Sequence, residues 1–94
     1  MKNIYDVLLA EFSVPVNLET LKQKKAFKLY SEDGKLYVHN SENSVRYIDE
    51  KSTSKFYEEF KKTGSESPKT YLELTRHSSY LLAAVHHLKE KGSL

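Results

Sequence analysis

Four histidines, His39, His77, His86 and His87, are the first residues to test for chemistry. A zinc site needs three or four convergent ligands. His86 and His87 are sequence neighbours, and on a helix neighbours point about 100° apart, so the two do not converge on one metal. Glu73 and His77 stand at i,i+4, which serves a metal only along an unbroken helix, and Ser78-Ser79 argues against one there. The chain has no H-E-x-x-H pattern and no cysteine, so a thiolate metal site, a disulfide framework and a cysteine nucleophile are excluded. The histidines read as surface or half-buried side chains, and no metal or cofactor is expected.

Nucleophilic catalysis fares no better. Ser78 and Ser79 follow His77, but a catalytic triad is an arrangement in space rather than a run in sequence. No G-x-S-x-G elbow is present, and helix capping explains the two serines. Asp49-Glu50 and Glu58-Glu59 are interspersed with lysines and read as solvated surface. Three glycines leave neither G-x-x-x-x-G-K-[ST] nor G-x-G-x-x-G to cradle a phosphate. The chain is expected to be a binding domain, not an enzyme.

The informative pattern is an alternation. From Ala26 onward Phe27 and Leu29 alternate with Lys28 and Tyr30, and after Asp33-Gly34 Leu36 and Val38 alternate with Lys35, Tyr37 and His39. Period two predicts strands, and Asp-Gly predicts the tight turn of a hairpin. With Phe27, Leu29, Leu36 and Val38 turned to a core, Lys28, Tyr30, Lys35, Tyr37 and His39 share the opposite face. Arg46 is a candidate for the same face, although Val45, Tyr47 and Ile48 leave the direction of that strand open. Cations meet phosphates and rings offer stacking surfaces for bases. The expectation is a nucleic-acid interface, for DNA or RNA, built from Lys28, Tyr30, Lys35, Tyr37, His39 and Arg46. Lys22, Lys24 and Lys25 lie just before the first strand and can extend it. Two plainer explanations compete. Tyrosine favours strands and stabilises cross-strand pairs without a ligand, and an amphipathic helix in need of cover can lie across the same face.

The elements that position these residues follow from spacing and caps. Asn3 caps a helix over residues 4–12, with Asp6 in its first turn and Ile4, Tyr5, Leu8, Leu9 and Phe12 at helical spacing. Ser13 and Pro15 end it. Asn17 is a candidate cap for a second helix over residues 18–24, with Leu18 and Leu21 on one side. Three strands follow, the third being Val45–Ile48. The Ser52-Thr53-Ser54 group offers caps for a helix through Lys62, with Phe56, Tyr57 and Phe60 buried and Thr63-Gly64 as its stop. Ser67-Pro68 opens a short helix through Thr75, with Tyr71-Leu72-Glu73-Leu74 equally readable as an extended segment. Ser78 or Ser79 caps the last helix, in which Tyr80, Leu81, Ala84, Val85 and Leu88 face inward, and Lys89, Lys91 and Gly92 close it. The predicted fold is α+β: a three-stranded antiparallel meander packed against C-terminal helices, with one or two N-terminal helices.

The totals agree with this reading. Ninety-four residues fit a single domain spanning 1–94, and 38% apolar with 30% charged residues describe a small globule with much surface. The net charge of +2 is too small to mark a nucleic-acid binder without clustering. The longest uncharged apolar stretch, Tyr80 to Val85, is far short of a membrane span, and no signal-peptide run follows Lys2. A cytoplasmic protein with no membrane partner is expected. The alternative function is a protein-interaction domain or small homodimer that docks through the first amphipathic helix, supported by an aromatic content of 12%. A helix-turn-helix formed by the last two helices ranks below both, because its recognition end, Ser79-Tyr80-Leu81-Leu82, is mostly apolar.

Overall fold

The computed structural model describes residues 3–92. Its elements run α1 (Ile4–Glu11), β1 (Val16–Glu19), β2 (Ala26–Glu32), β3 (Lys35–Asn40), β4 (Val45–Ile48), α2 (Glu50–Thr63), a 3-10 turn (Pro68–Tyr71) and α3 (Ser78–Glu90). The four strands form one antiparallel sheet in the order β1-β2-β3-β4. The class is α+β as expected, with one strand more than the sequence suggested.

The extra strand replaces the second N-terminal helix. Residues 18–24 form the end of β1 and a turn. Val16 and Leu18 alternate with Asn17 and Glu19, and they register opposite Leu29 and Phe27 of β2. Leu18 and Leu21 also satisfy a helical spacing, so local periodicity was ambiguous over so short a run. The pairing decides it, because β2 offers a row of backbone donors and acceptors that β1 satisfies. Thr20 closes the turn: its N–H donates to Lys25 O (3.0 Å), and its Oγ1 accepts from Lys25 N–H (3.0 Å).

The β2–β3 hairpin turns at Asp33 and Gly34, both at positive φ (+53° and +76°), which is the requirement of a two-residue turn matched to the strand twist. A Cβ on Gly34 would meet nothing within 4 Å, so the cost of a side chain there is conformational rather than steric. Gly34→Ala is expected to destabilise the domain by about 1 kcal/mol, lowering Tm by roughly 4–8 °C. A circular-dichroism melt of the variant beside wild type checks this.

The core lies between one sheet face and the three helices. Phe27, Leu29, Leu36, Val38 and Ile48 supply the sheet side. In α3, Leu81 through Val85 and Leu88 are all buried, so this helix is covered on more than one side. Ring contacts join the layers, with Phe56 of α2 edge-on to Tyr71 of the 3-10 turn at 4.7 Å and Phe27 of β2 edge-on to Tyr80 of α3 at 4.9 Å. Burial of these apolar side chains is the main stabilising contribution.

Helix α1 packs on this same side. Ile4, Tyr5, Leu8 and Phe12 are buried, and the Tyr5 hydroxyl donates to Ile48 O (2.7 Å) while accepting from Leu36 N–H (2.9 Å). Carbonyls left unpaired at the helix C-terminus find partners on β2: Leu9 O accepts from Ser31 Oγ, and Phe12 O accepts from Ser31 N–H, both at 2.8 Å. Glu11 accepts from Lys91 Nζ of the α3 C-cap at 2.6 Å, and that hydrogen bond, foremost, holds its carboxyl below the usual range. The helix therefore does not cross the opposite sheet face.

Caps depart from expectation in two places. Asp49, not the serine group after it, caps α2, accepting from Ser52 N–H at 2.9 Å and Ser52 Oγ at 2.6 Å. α3 begins after His77 without a side-chain cap. Ser78 is instead buried and donates from Oγ to Pro68 O at 3.1 Å, pinning the 3-10 turn to α3. The segment after Pro68 makes only this 3-10 turn before turning again toward Thr75, so the first helix of a helix-turn-helix pair is missing. Asn3 caps α1 as expected, and Gly64 ends α2 at φ +66°.

Candidate nucleic-acid interface

The register across the sheet places each candidate residue. Lys28 stands opposite His39, and Tyr30 opposite Tyr37. Tyr37 in turn stands opposite Tyr47, and His39 opposite Val45. Lys28, Tyr30, Lys35, Tyr37 and His39 therefore share the face turned away from the core. Asn17 extends the Lys28–His39 row onto β1. Among the described residues no helix covers this face: Lys28 and Lys35 are exposed, and Val45 and Tyr47 are 55% and 50% exposed.

Arg46 is the exception. It registers opposite Val38, a core residue, so it belongs to the helix-side face and is separate from the other five. Ile48, fully buried as the last residue of β4, fixes that parity. Two residues take its place on the outer face. Val45 and Tyr47 were available in the sequence as an i,i+2 pair, but Val45, Tyr47 and Ile48 are all apolar enough to face inward. Only the inward Ile48 settles the choice.

The centre of the face is a row of three tyrosines on adjacent strands. Tyr30 and Tyr37 have ring centroids 5.6 Å apart at an interplanar angle of 24°, and Tyr37 and Tyr47 are 5.9 Å apart at 51°. Lys35 Nζ lies 5.9 Å from the Tyr47 centroid, within cation–π range. His39 Nε2 is 2.7 Å from Asn43 Oδ1, so the β3–β4 turn orients the imidazole. The turn residue Asn43 has φ +63°, and Asn40 Oδ1 accepts from Glu42 N–H and Ser44 N–H.

The electrostatics of the face are nearly balanced. Parity along β1 and β2 puts Glu19 and Glu32 on the same side as Lys28 and Lys35. The lysines Lys22, Lys24 and Lys25 sit in the β1–β2 turn at one end. Aromatic surface, rather than net positive charge, is what distinguishes the face.

Other titratable clusters have structural explanations. Asp49 is held below the usual carboxylate range chiefly by the hydrogen bond from Ser52, which is its capping bond. His77 lies nearby and is pushed down mainly by burial, with Asp49 opposing the shift. Among the described residues no three His, Asp or Glu side chains gather as a metal site would require. Among the same residues no helix is long and apolar enough to cross a membrane. No family model matches the chain, and neither the curated proteins nor the solved structures contain a match to it.

Proposed function

We propose that the protein is a non-enzymatic binding domain whose open sheet face takes nucleic acid, with single strands preferred over duplex. The observation that carries this reading is the row Tyr30, Tyr37 and Tyr47 on the uncovered face. Stacking on an aromatic side chain requires an unstacked base, which a single strand offers and a duplex does not. Lys28, Lys35 and His39 flank the row and supply phosphate contacts.

Two cations on the face set the expected salt response. With Lys28 and Lys35 each neutralising one phosphate, log K falls against log salt with a slope of about −1.4. A purely apolar protein interface is flatter still. Tyr37→Ala, at the middle of the row, is expected to weaken single-strand binding about 5- to 150-fold, the range of stacking on one ring. Its amide spectrum should stay dispersed, because the ring is only partly buried. Lys35→Glu should weaken binding in the same assay, fluorescence anisotropy of a short labelled oligonucleotide. Wild-type affinity in both variants would overturn the sheet-face reading.

The alternative, docking through the first helix, draws less support. The apolar stripe it would use is the one buried against the sheet and α2. A tyrosine-rich face is also the chemistry of protein interfaces, and amide shifts over residues 28–48 on addition of DNA or RNA are the measurement that favours nucleic acid over that use.

A further inference from the structure

On the helix side, away from the tyrosine row, three segments distant in sequence converge on one cavity. They are the β1–β2 turn at Thr20–Gln23, the start of the 3-10 turn at Ser67–Lys69, and the first turns of α3 at Ser79 and Leu82. The cavity measures about 420 Å³, inside the usual range of roughly 300–1,000 Å³ for small-molecule sites. Leu21, Pro68 and Leu82 give it an apolar wall, Lys22 and Lys69 stand at it, and no carboxylate lines it. Ser67 makes no side-chain capping bond and Ser79 is the other serine lining the cavity, so hydroxyls are present on two sides.

A smaller cleft of about 160 Å³ shares Thr20, Gln23 and Ser79 and continues to Lys25 and Arg76, facing a single carboxylate, Glu42. Lys22, Lys69, Lys25 and Arg76 thus line these two adjoining clefts against one carboxylate, Glu42, in a chain whose net charge is only +2, and a third cleft that shares Leu21 and Leu82 adds Lys89 and Glu66. α3 starts here without a side-chain cap or an acidic residue in its first turn, so its N-terminal dipole adds to the positive potential.

We propose that this groove binds a small organic phosphate of nucleotide size, with its apolar wall against the organic moiety and Lys22 and Lys69 on the phosphate. Lysine ammonium groups suit phosphate as mobile point charges, and the apolar wall excludes a bare inorganic anion as the best fit. Two of the three lysines in the β1–β2 turn, Lys22 and Lys25, then face a ligand. The inference does not depend on the sheet-face reading, since no residue of the tyrosine row lines the groove.

The test is a titration of the whole chain with ADP, pyrophosphate and adenosine, followed by backbone amide shifts. ADP is expected to move amides at 20–25, 67–69 and 79–82, pyrophosphate to move a subset near Lys22 and Lys69, and adenosine to bind more weakly than ADP. The double variant Lys22→Gln, Lys69→Gln should lose roughly tenfold in ADP affinity. A control of equal charge loss, Lys51→Gln with Lys55→Gln, should bind as wild type, because neither residue lines the groove. All four side chains are exposed, so each variant keeps a dispersed spectrum. Absence of shifts, shifts confined to the tyrosine face at residues 28–39 and 45–47, adenosine binding as tightly as ADP, or equal weakening in both double variants would overturn the proposal.

Discussion

Leu8→Glu is expected to abolish cooperative folding at room temperature and neutral pH. Leu8 has no exposed surface and lies in the same core cluster as Ile4, Tyr5 and Phe12. Truncation of such a side chain to alanine costs about 2–5 kcal/mol through lost transfer energy and the cavity left behind. A carboxylate at the site adds the cost of burying a charge, or of protonating it, with no partner. A chain of this length is stable by roughly 5–14 kcal/mol, so the combined cost consumes most or all of it. Peeling α1 away gives no relief, because Tyr5 and Phe12 leave the core with it.

Far-ultraviolet circular dichroism and amide dispersion check the outcome. Leu8→Ala gives the graded form of the experiment, with a urea midpoint shifted by the equivalent of about 2–5 kcal/mol. A folded Leu8→Glu variant that had merely lost self-association would instead make the stripe of α1 an interface, and would contradict the packing described above.

Tyr5→Phe is expected to cost about 2–6 kcal/mol while leaving the apolar packing intact. Leu36 and Ile48 are register partners across β3 and β4, and the Tyr5 hydroxyl bridges the N–H of one to the carbonyl of the other. Removing the oxygen leaves a buried donor and a buried acceptor unpaired, at about 1–3 kcal/mol each. The same hydroxyl makes stability depend on alkaline pH. Burial, foremost, pushes the Tyr5 phenol up from 10.0 to about 12, against the opposing effect of the Leu36 N–H.

A phenol whose folded pKa lies above its unfolded value stabilises the fold fully below the unfolded pKa. That contribution is lost as pH rises through the folded one. The window is therefore about pH 10 to 12, and the loss across it is on the order of 2–3 kcal/mol. In Tyr5→Phe this part of the alkaline decline should vanish. Urea unfolding of both proteins below and within the window checks it. A parallel decline in the two would assign the pH dependence to other groups.

The elements legible in the sequence were those with a long or redundant signal. The β2–β3 hairpin combined period-two alternation on both strands with Asp33-Gly34 at the turn, and the structure has both residues at positive φ. α1 announced itself by Asn3 and a stripe of apolar residues, and α2 by Phe56 and Phe60 with Gly64 as its stop. Five of the six candidate site residues shared a face for the same reason: alternation within a confidently placed hairpin leaves one solution once the core side is known.

Tertiary structure decided what local pattern left degenerate. Residues 18–24 carry a helical spacing, yet the free edge of β2 pairs with Val16–Glu19 and leaves the rest of that segment as a turn. Val45-Arg46-Tyr47-Ile48 has no clean alternation, and the burial of Ile48 beneath α1, through the Tyr5 bridge, turned Tyr47 outward and Arg46 to the helix side. α1 had an apolar stripe that the sequence could assign to the core, the open sheet face or a partner, and its cover became clear only when Ser31, Leu36 and Ile48 were seen to hold it. The groove bordered by Lys22 and Lys69 joins residues nearly fifty positions apart. A periodicity reports the face of an element relative to itself. Which face is covered, and what distant segment stands beside it, is set by packing between elements.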